Sequence, residues 1–367
     1  METKTITLNI NRLREKRSLC NQVKIMAMNN KGILFGGVVR DDIIGKHYRK
    51  EFIKKDLDFN KYWDSSYDED TKYRLIIPND IDVFFRAENN SITFQNKLRE
   101  FVKDFNGTFH ITDDVNFRHL DYSQMNKFLK HKIININIRI GRTLFDRGIN
   151  INLKIDIIEI APNNYQSDNF EYSIFSQRIE PPFNNLDFLC NSFIMEKSGS
   201  GDYITRISNT TGTPMDNMIF SEKLAFSLII INDIISFKTK FVRNCNSFNT
   251  EYINCYRILK MIDRKFSWNI INLPFRMITI ADITCKIEDK CCVCLEEIIN
   301  DDKANEIVEI NTYKIKSNYL HKSCFVKYLY EEQQLRYVNQ DTNTIECRCP
   351  FRGFFNFKEC HKEVLYQ

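Results

Sequence analysis

A short apolar run, Ile33 to Phe35, ends at two glycines, and a helix-like segment with Arg40 and Asp41 in its first turn follows at once. Few chain geometries require two residues without a Cβ between a strand and a helix. Backbone N–H groups at such a turn can approach a ligand closely, and the helix adds its N-terminal partial positive charge. Gly36 and Gly37 therefore indicate an anion site, usually for phosphate, although a glycine pair also serves as an ordinary tight turn.

Two carboxylates follow on a predicted strand. In the segment NDIDV, Asp80 and Asp82 stand two positions apart, so both side chains point to one face while Ile81 and Val83 point to the other. Adjacent like charges are unfavourable unless water or a cation neutralises them. Shared carboxylates are how phosphoryl-transfer sites hold Mg²⁺ against a triphosphate. The pair predicts a metal site, and a solvated strand face is the alternative.

A third carboxylate lies on a predicted long β-hairpin. Lys132 to Arg142 and Ile149 to Ile160 both carry apolar residues at alternate positions, and the intervening TLFDRG predicts the turn. Asp156 is flanked by isoleucines in the second run, which indicates a pocket. Because Asn152 and Lys154 share its face, a solvent-facing position is also open.

The length of 367 residues favours two or three domains, and a hydrophobic fraction of 43% is enough for packed cores. We predict an α+β chain in three parts. A head with a mixed sheet and helices spans residues 1–162, a mostly helical region spans 163–285, and a small cysteine-rich domain spans 286–367. The charged and aromatic segment 47–72 is predicted to be a surface insertion in the head.

No uninterrupted apolar segment reaches membrane-spanning length, since the best candidate, Leu224 to Phe237, is interrupted by Asn232 and Asp233. The N-terminal sequence METKTITLNINRLREKR has no apolar signal core. We therefore expect a soluble, intracellular, cytoplasmic protein without a membrane partner. A formal net charge of +4 permits a nucleic-acid partner but does not argue for one, because no domain-wide basic block occurs.

The glycine turn resembles a known family. GGVVRDDIIGK is similar to the GGxVRDxxxG signature of the class II CCA-adding enzymes and bacterial poly(A) polymerases, members of the DNA polymerase beta nucleotidyltransferase superfamily. The matching positions are Gly36, Gly37, Arg40, Asp41 and Gly45. The resemblance implies a nucleotidyltransferase-like head whose turn receives a nucleoside triphosphate.

The resemblance also implies roles for the acids. Asp80 and Asp82 match the family's Mg²⁺-binding DxD, and superfamily architecture implies a third acid, for which Asp156 is the candidate. The expected activity is template-independent addition of nucleotides from NTP to an RNA 3′ end or another hydroxyl. Two Mg²⁺ ions on the DxD would bridge the hydroxyl and the triphosphate, while the third acid would deprotonate or position the hydroxyl.

Further nucleotide-binding residues follow from the same resemblance. DFLCNSF is similar to the DFTINAL portion of the family's next motif, with Asp187, Phe188 and Asn191 at matching positions. YRILKMIDRKF is loosely similar to a later helix, with Arg257 at the matching arginine. The chain departs from the family in a long insertion before the DxD, in Asn185-Leu186 replacing an arginine pair, and in lacking the acidic pair before that last arginine. The resemblance therefore implies neither CCA addition nor a base preference.

The C-terminal end carries paired metal-ligand motifs. CCVC contains Cys291-x2-Cys294, and LHKSC contains His321-x2-Cys324. Two ligand pairs from separate segments supply what a tetrahedral Zn²⁺ site needs. In a reducing compartment, clustered cysteines more often bind metal than form disulfides. Cys292 in place of Cys291, and unpaired buried cysteines, are the alternatives.

This segment resembles a RING finger. CVCLEE, HKSCFVKYLYEE and RCPFR are similar to its first ligand pair, its central pair with the following helix, and its last element. In the RING cross-brace the first and third pairs share one Zn²⁺, and that site is complete. Lys316, Asn318 and Arg352 stand at ligand positions of the second site. Of the ligands of this second site, only Cys349 remains at its RING position. Cys347, Cys360 and His361 could supply ligands for a second Zn²⁺ in a different arrangement.

The RING resemblance implies a second function. Val293, Tyr328 and Pro350 match the RING surface that grips a ubiquitin-conjugating enzyme, although apolar residues there also pack a small zinc domain. The first expectation is a nucleotidyltransferase with an accessory zinc module, with NTP and RNA as partners. The alternatives are a RING-type interaction module or ubiquitin ligase on an inactive nucleotidyltransferase-like scaffold, and an RNA-binding protein that has lost catalysis.

Overall fold

The chain divides into two compact units, each described by itself: residues 1–186 with 191–235, and residues 187–190 with 236–367. The boundaries predicted near residues 162 and 285 lie outside the described residues and stay predictions. In this computed structural model the described residues are 2–54, 77–78, 80–113, 129–140, 149–160, 179–243, 257–258, 260–261, 268–271, 276–279, 291, 293–296, 306–312, 315–321, 324, 338–339, 344–348 and 354–356.

The first unit contains four helices and seven strands among its described residues, which confirms the α+β class. The helices are α1 (Glu2–Asn29), α2 (Gly37–Lys54), α3 (Glu88–Asp104) and α4 (Phe220–Ile235). The strands are β1 (Gly32–Phe35), β2 (Asp80–Phe85), β3 (Thr108–Asp113), β4 (Leu129–Ile140), β5 (Ile149–Ile160), β6 (Phe193–Lys197) and β7 (Tyr203–Ile207). Because α2 continues to Lys54, the first part of the predicted insertion is helical, and residues 55–76 lie outside the described residues.

The seven strands form one mixed sheet in the order β3-β4-β5-β2-β1-β6-β7. Its pairings are antiparallel except that of β2 with β5, which is parallel. The predicted hairpin is confirmed, since β4 and β5 pair from Leu129 opposite Ile160 to Ile140 opposite Ile149. Apolar residues at every second position commit one face of both strands to the core.

One face of the sheet packs against α1 and α3. Phe94 of α3 lies against Phe85 of β2, with ring centroids 5.5 Å apart. At Gly32 a Cβ would lie 2.8 Å from both the carbonyl oxygen of Ala27 and the Cγ2 of Val83. The missing side chain therefore lets α1 approach the sheet more closely than any other residue would allow.

A second apolar cluster covers part of the other face. The ring of Phe183 makes edge contacts with Phe84 of β2 and Phe35 of β1, with centroids 5.1 and 6.1 Å apart. Ile158 and Ile160 of β5 join the same cluster. Phe84 and Ile158 share their strand faces with Asp82 and Asp156, so the cluster borders the carboxylates and fixes the strands that carry them.

The prediction of a mostly helical region over 163–285 is wrong for its described residues. β6 and β7 form a hairpin, and β6 pairs with β1, so this segment completes the sheet. In the second unit, β8 (Lys238–Lys240) pairs in parallel with β9 (Asn269–Ile271). Strands of three to five residues are too short to show a period of two, whereas α4, with 16 residues, is long enough to be predicted as a helix.

The other described strands of the second unit form two small antiparallel sheets. The first consists of β10 (Arg276–Thr279), β11 (Glu306–Thr312) and β12 (Ile315–His321). The second consists of β13 (Val338–Asn339), β14 (Thr344–Arg348) and β15 (Phe354–Asn356). In the part of the chain that the structure describes, no helix is long and apolar enough to cross a membrane.

A buried ion pair anchors the segment that leads into β6. Glu180 is 2% exposed and receives two hydrogen bonds from the guanidinium of Arg206, at 3.0 and 2.8 Å. The backbone N–H of Asn209 and the hydroxyl of Ser208 also donate to it. Burial raises the pKa of Glu180, but the hydrogen bonds from Arg206 and Asn209 outweigh burial and hold the pKa below its usual range.

We expect Glu180→Gln to lower the free energy of unfolding at pH 7 by about 2–3 kcal/mol, less than for a fully buried pair because Arg206 is about one-third exposed. A depressed pKa stabilises the fold above the unfolded value of about 4.3 and loses that effect as pH falls. The difference in free energy of unfolding between wild type and variant should therefore become smaller below about pH 4. Urea unfolding at pH 7 and below about pH 4 measures this difference. Exposed Glu100→Gln is the control, and equal loss in both variants would contradict the prediction.

Candidate functional site

Three carboxylates converge where β2 lies beside β5. Asp82 stands directly opposite Asp156 in the parallel register, and Asp80, two positions earlier, lies on the same face. One carboxylate oxygen from each lies within 4.8 Å of the others. Asp156 is 8% exposed, whereas Asp80 and Asp82 are half-buried. Three carboxylates this close repel one another, and hard oxygen-binding cations are what such a group could hold.

The glycine turn lies against this group. Gly36 has φ +67°, a conformation that residues with a Cβ rarely adopt, and a Cβ there would lie 2.9 Å from Oδ2 of Asp82. The backbone N–H of Arg40 donates to the carbonyl oxygen of Gly36 at 3.3 Å, which starts α2 at Gly37. The structure thus brings the turn, the N-terminus of α2 and a carboxylate together, as the sequence predicts.

Two cationic or proton-donating side chains flank the third acid. Nζ of Lys154 donates to Oδ2 of Asp156 at 2.8 Å, and Nε2 of His131 lies 3.2 Å from its Oδ1. Burial raises the pKa of Asp156, but the hydrogen bonds from His131 and Lys154 outweigh burial and hold the pKa below its usual range. Asp156 is therefore held as a carboxylate with both oxygens oriented, which argues against a solvent-facing position.

Sequence reasoning missed His131 and read Lys154 only as a sign of solvent exposure. The register explains both. His131 lies on β4, two positions before Ile133, which stands opposite Asp156, and Lys154 stands opposite Asp80 on β5. Burial lowers the pKa of Lys154, and the hydrogen bond and charge of Asp156 outweigh burial and raise it. Only the hairpin register could have pointed to His131.

Arg40, Asp41 and Asn191 form one connected group. Arg40 is 1% exposed, its Nε donates to Oδ1 of Asp41 at 2.9 Å, and its Nη1 donates to Oδ1 of Asn191 at 3.0 Å. The guanidinium thus ties the first turn of α2 to the chain just before β6. These contacts position the turn, and the guanidinium of Arg40 is buried beside it.

Asp187 and Arg257 form a pair within the second unit. Nη1 of Arg257 donates to Oδ2 of Asp187 at 2.5 Å, and the backbone N–H of Phe188 donates to Oδ1 at 2.7 Å. The backbone N–H of Val242 donates to the carbonyl oxygen of Asp187 at 2.9 Å. The predicted nucleotide-binding residues therefore fall into two groups, one in each unit.

Cys291, Cys294, His321 and Cys324 form a second ligand group, with their donor atoms within 4.8 Å of one another. Nδ1 of His321 lies 3.4 Å from the sulfur of Cys294 and 3.8 Å from that of Cys324. Zinc bonds of about 2.0 Å to nitrogen and 2.3 Å to sulfur at a tetrahedral angle place the two atoms about 3.5 Å apart. The group could therefore hold a zinc ion, and its members are those that the sequence predicts.

The backbone around Cys291 favours its thiolate. Its own N–H donates to the carbonyl of Glu296, and Leu295, at φ +61°, donates to the carbonyl of Cys291, which closes the turn. Burial raises the pKa of Cys291, but N–H groups of Cys294 and His321 donate to its sulfur and lower the pKa overall. Burial and the neighbouring sulfurs raise the pKa of Cys324 to about 12. Without a cation, the thiol of Cys324 therefore stays protonated beside the other sulfurs.

Other predicted residues stay predictions. Val293 is half-buried in the turn beside Cys294. Lys316 and Asn318 lie on β12 and Cys347 on β14, where the structure gives only the backbone course. The positions outside the described residues are Cys292, Tyr328, Cys349, Pro350, Arg352, Cys360 and His361.

Comparison with protein-family models, with curated proteins and with solved structures gives no significant match.

Replacing Gly36 by alanine should disrupt the carboxylate group. The Cβ would meet Oδ2 of Asp82 at 2.9 Å, and φ +67° is unfavourable for alanine. We expect a loss of about 1–3 kcal/mol in the free energy of unfolding. Gly199→Ala is the matched control, because no atom lies within 4 Å of its Cβ position. Urea unfolding of both variants measures the difference, and equal stability would show that the turn tolerates a side chain.

Proposed function

We propose that the first unit is a nucleotidyltransferase that transfers a nucleotide from an NTP to an acceptor hydroxyl. The observation that carries the proposal is the convergence of Asp80, Asp82 and Asp156 beside the Gly36 turn at the start of α2. A hard-cation ligand set next to a phosphate-type turn is what phosphoryl transfer from a triphosphate requires. The motif resemblance of Gly36, Asp80 and Asp82, which does not include Asp156, supports the same activity.

Asp80, Asp82 and Asp156 would hold Mg²⁺, because all three offer carboxylate oxygens and Mg²⁺ prefers oxygen ligands. When bound, Mg²⁺ supplies neutralisation of the triphosphate's charge. The acceptor oxygen forms a bond to the α-phosphorus, the bond to the bridging oxygen breaks, and pyrophosphate leaves. Asp156 accepts or orients the proton of the acceptor hydroxyl, and His131 and Lys154 hold its two oxygens for this role.

The turn and α2 would bind the phosphates. The N–H groups at the start of a helix lack helical partners and carry partial positive charge, which suits a pyrophosphate leaving group. Gly36 keeps the space between the turn and Asp82 free of side chain, so phosphate oxygens and metal ligands can meet there. Arg40 and Asn191 would not need to contact the phosphates, because their hydrogen bond fixes the turn that does.

Incorporation of each labelled NTP into short RNA acceptors, with Mg²⁺ and with EDTA, tests the proposal. We expect Mg²⁺-dependent extension with at least one nucleotide. Absence of extension with every nucleotide and acceptor, by protein that is folded by circular dichroism, would contradict it.

The Cys/His group supports a second function, a zinc-stabilised interaction module of RING type in the second unit. The observation that favours it is the closed four-ligand group with Val293 beside Cys294. The test is discharge of ubiquitin from charged ubiquitin-conjugating enzymes by the full chain. Val293→Asp should abolish any stimulation if this surface binds the enzyme, and stimulation unchanged by that substitution would contradict this use of the surface.

A further inference from the structure

An exposed polar surface begins directly beside the three carboxylates. Four asparagines, Asn135 and Asn137 on β4 and Asn150 and Asn152 on β5, are all exposed on the face that carries Asp156. Asn137 stands opposite Asn152, so their side chains are direct cross-strand neighbours. The residues between them on both strands are buried on the opposite face, which fixes the direction of the amides.

The surface continues without a break from the carboxylates to the edge strand. Asp80, Lys154, Asn135 and His110 occupy successive register positions across β2, β5, β4 and β3. Neighbouring strands are about 4.8 Å apart, so this row extends about 14 Å from the acid to the imidazole. Arg139 stands opposite Asn150 at the far end of the hairpin.

We call the exposed residues of β3, β4 and β5 on this side the amide face; besides the four asparagines it contains His110, Arg139 and Lys154, with Thr108 and Thr112 on β3. No carboxylate occurs among these nine exposed positions. The charge of Arg139 therefore acts on an approaching polyanion without opposition from within the face, whereas Lys154 is paired with Asp156 at its border.

We propose that the amide face binds the sugar–phosphate backbone of a single-stranded RNA acceptor and leads its terminal hydroxyl to Asp156. This inference rests on the proposed function of the carboxylate site. Asparagine amides donate to phosphate oxygens and accept from a ribose 2′-hydroxyl, and Arg139 contacts a phosphate. A protein partner would need aromatic or aliphatic anchors, which the amide face does not offer. Because the register row from His110 across the amide face ends at Asp80, an RNA strand bound along it would have its terminal nucleotide beside the three carboxylates.

Anisotropy of a labelled single-stranded RNA of about 12 nucleotides tests the inference, with the full chain in buffer without added Mg²⁺, Mn²⁺ or NTP. We expect Asn137→Asp combined with Asn152→Asp to weaken binding at least 10-fold, because two carboxylates then face the phosphates. Arg139→Gln should reduce the salt dependence of binding by about 0.7 in the log–log slope, the value of one phosphate contact on a single strand. DNA of the same sequence should bind more weakly than RNA.

Asn217→Asp combined with Asn232→Asp is the matched control, since both asparagines are exposed in the same unit and away from β3, β4 and β5. Equal affinity of the two double variants for RNA, or no RNA binding by the wild type, would overturn the inference. Equal affinity of the wild type for RNA and DNA would overturn the ribose contact. Two carboxylates directly opposite each other destabilise a strand pair, so Asn137→Ser with Asn152→Ser repeats the test if the aspartates prevent folding.

Neither Mg²⁺ nor a nucleotide is present in this measurement, so it does not depend on the reaction. Binding that depends on the amide face, together with absent incorporation, would contradict the nucleotidyltransferase proposal and support the surface. Nucleotide incorporation, together with RNA affinity that the amide-face substitutions leave unchanged, would support the nucleotidyltransferase proposal and contradict the RNA-binding surface.

Discussion

Nucleotide incorporation should fall by at least about 10³-fold in the Asp80→Asn/Asp82→Asn double variant, which corresponds to about 4 kcal/mol of transition-state stabilisation. Both side chains keep their size, but the ligand group within 4.8 Å retains only Asp156 as a charged member. One carboxylate, already paired with Lys154 and His131, cannot neutralise a triphosphate through bound cations. Single-turnover incorporation with saturating NTP measures the loss.

The same variant has a predicted stability signature. Removing two of three mutually repelling carboxylates should leave the melting temperature in EDTA unchanged or higher, and it should abolish the stabilisation that Mg²⁺ or Mn²⁺ gives the wild type. Asp104→Asn, at an exposed position of α3, is the control. It should change neither the melting temperature nor the stabilisation by Mg²⁺ or Mn²⁺. Full incorporation by the double variant would show that these acids do not carry the reaction.

Cys294→Ser should remove one equivalent of zinc from the purified protein. Without Cys294, only three ligands remain for a tetrahedral zinc ion. Structural zinc binds with an apparent free energy of about 10–16 kcal/mol, which also stabilises the domain that holds it. We expect the second unit to become sensitive to protease while the first keeps its melting transition. Elemental analysis of wild type and variant measures the zinc.

Cys20→Ala is the matched control for zinc content. Cys20 is 2% exposed inside α1, and burial raises its pKa to about 11, so it is a neutral core thiol. Its replacement should leave the zinc content unchanged. Equal zinc in wild type and Cys294→Ser would show that the Cys/His group does not bind the metal.

The sequence predicts the local geometry of the carboxylate site well. A period of two places Asp80 and Asp82 on one strand face, and the same period identifies the β4–β5 hairpin. The glycines predict the turn, because only glycine adopts the φ of Gly36 without cost. These features depend on neighbours in the chain, so a single sequence is sufficient to find them.

Partner strands could not be predicted in the same way. Nothing in the alternation of β5 says that it pairs in parallel with β2, or that Asp156 then stands opposite Asp82. The contact of His131 with Asp156 and the pairing of β6 with β1 depend equally on non-local contacts. The helical prediction for 163–285 was wrong for its described residues because the strands there are too short to be recognised without their partners. The cysteine spacing was more informative, because metal ligands must meet wherever the chain between them runs.

The parallel pairing of β2 with β5 has a consequence for protein synthesis. β3 and β4 lie between these strands in the chain, so Asp82 meets Asp156 only after a long loop has closed, a slow kind of step in folding. A nascent chain that ends before β5 already contains the glycine turn and two of the acids, yet it has no complete ligand group. Until β5 pairs with β2, the three-carboxylate group therefore cannot assemble, whatever else of the sheet has formed.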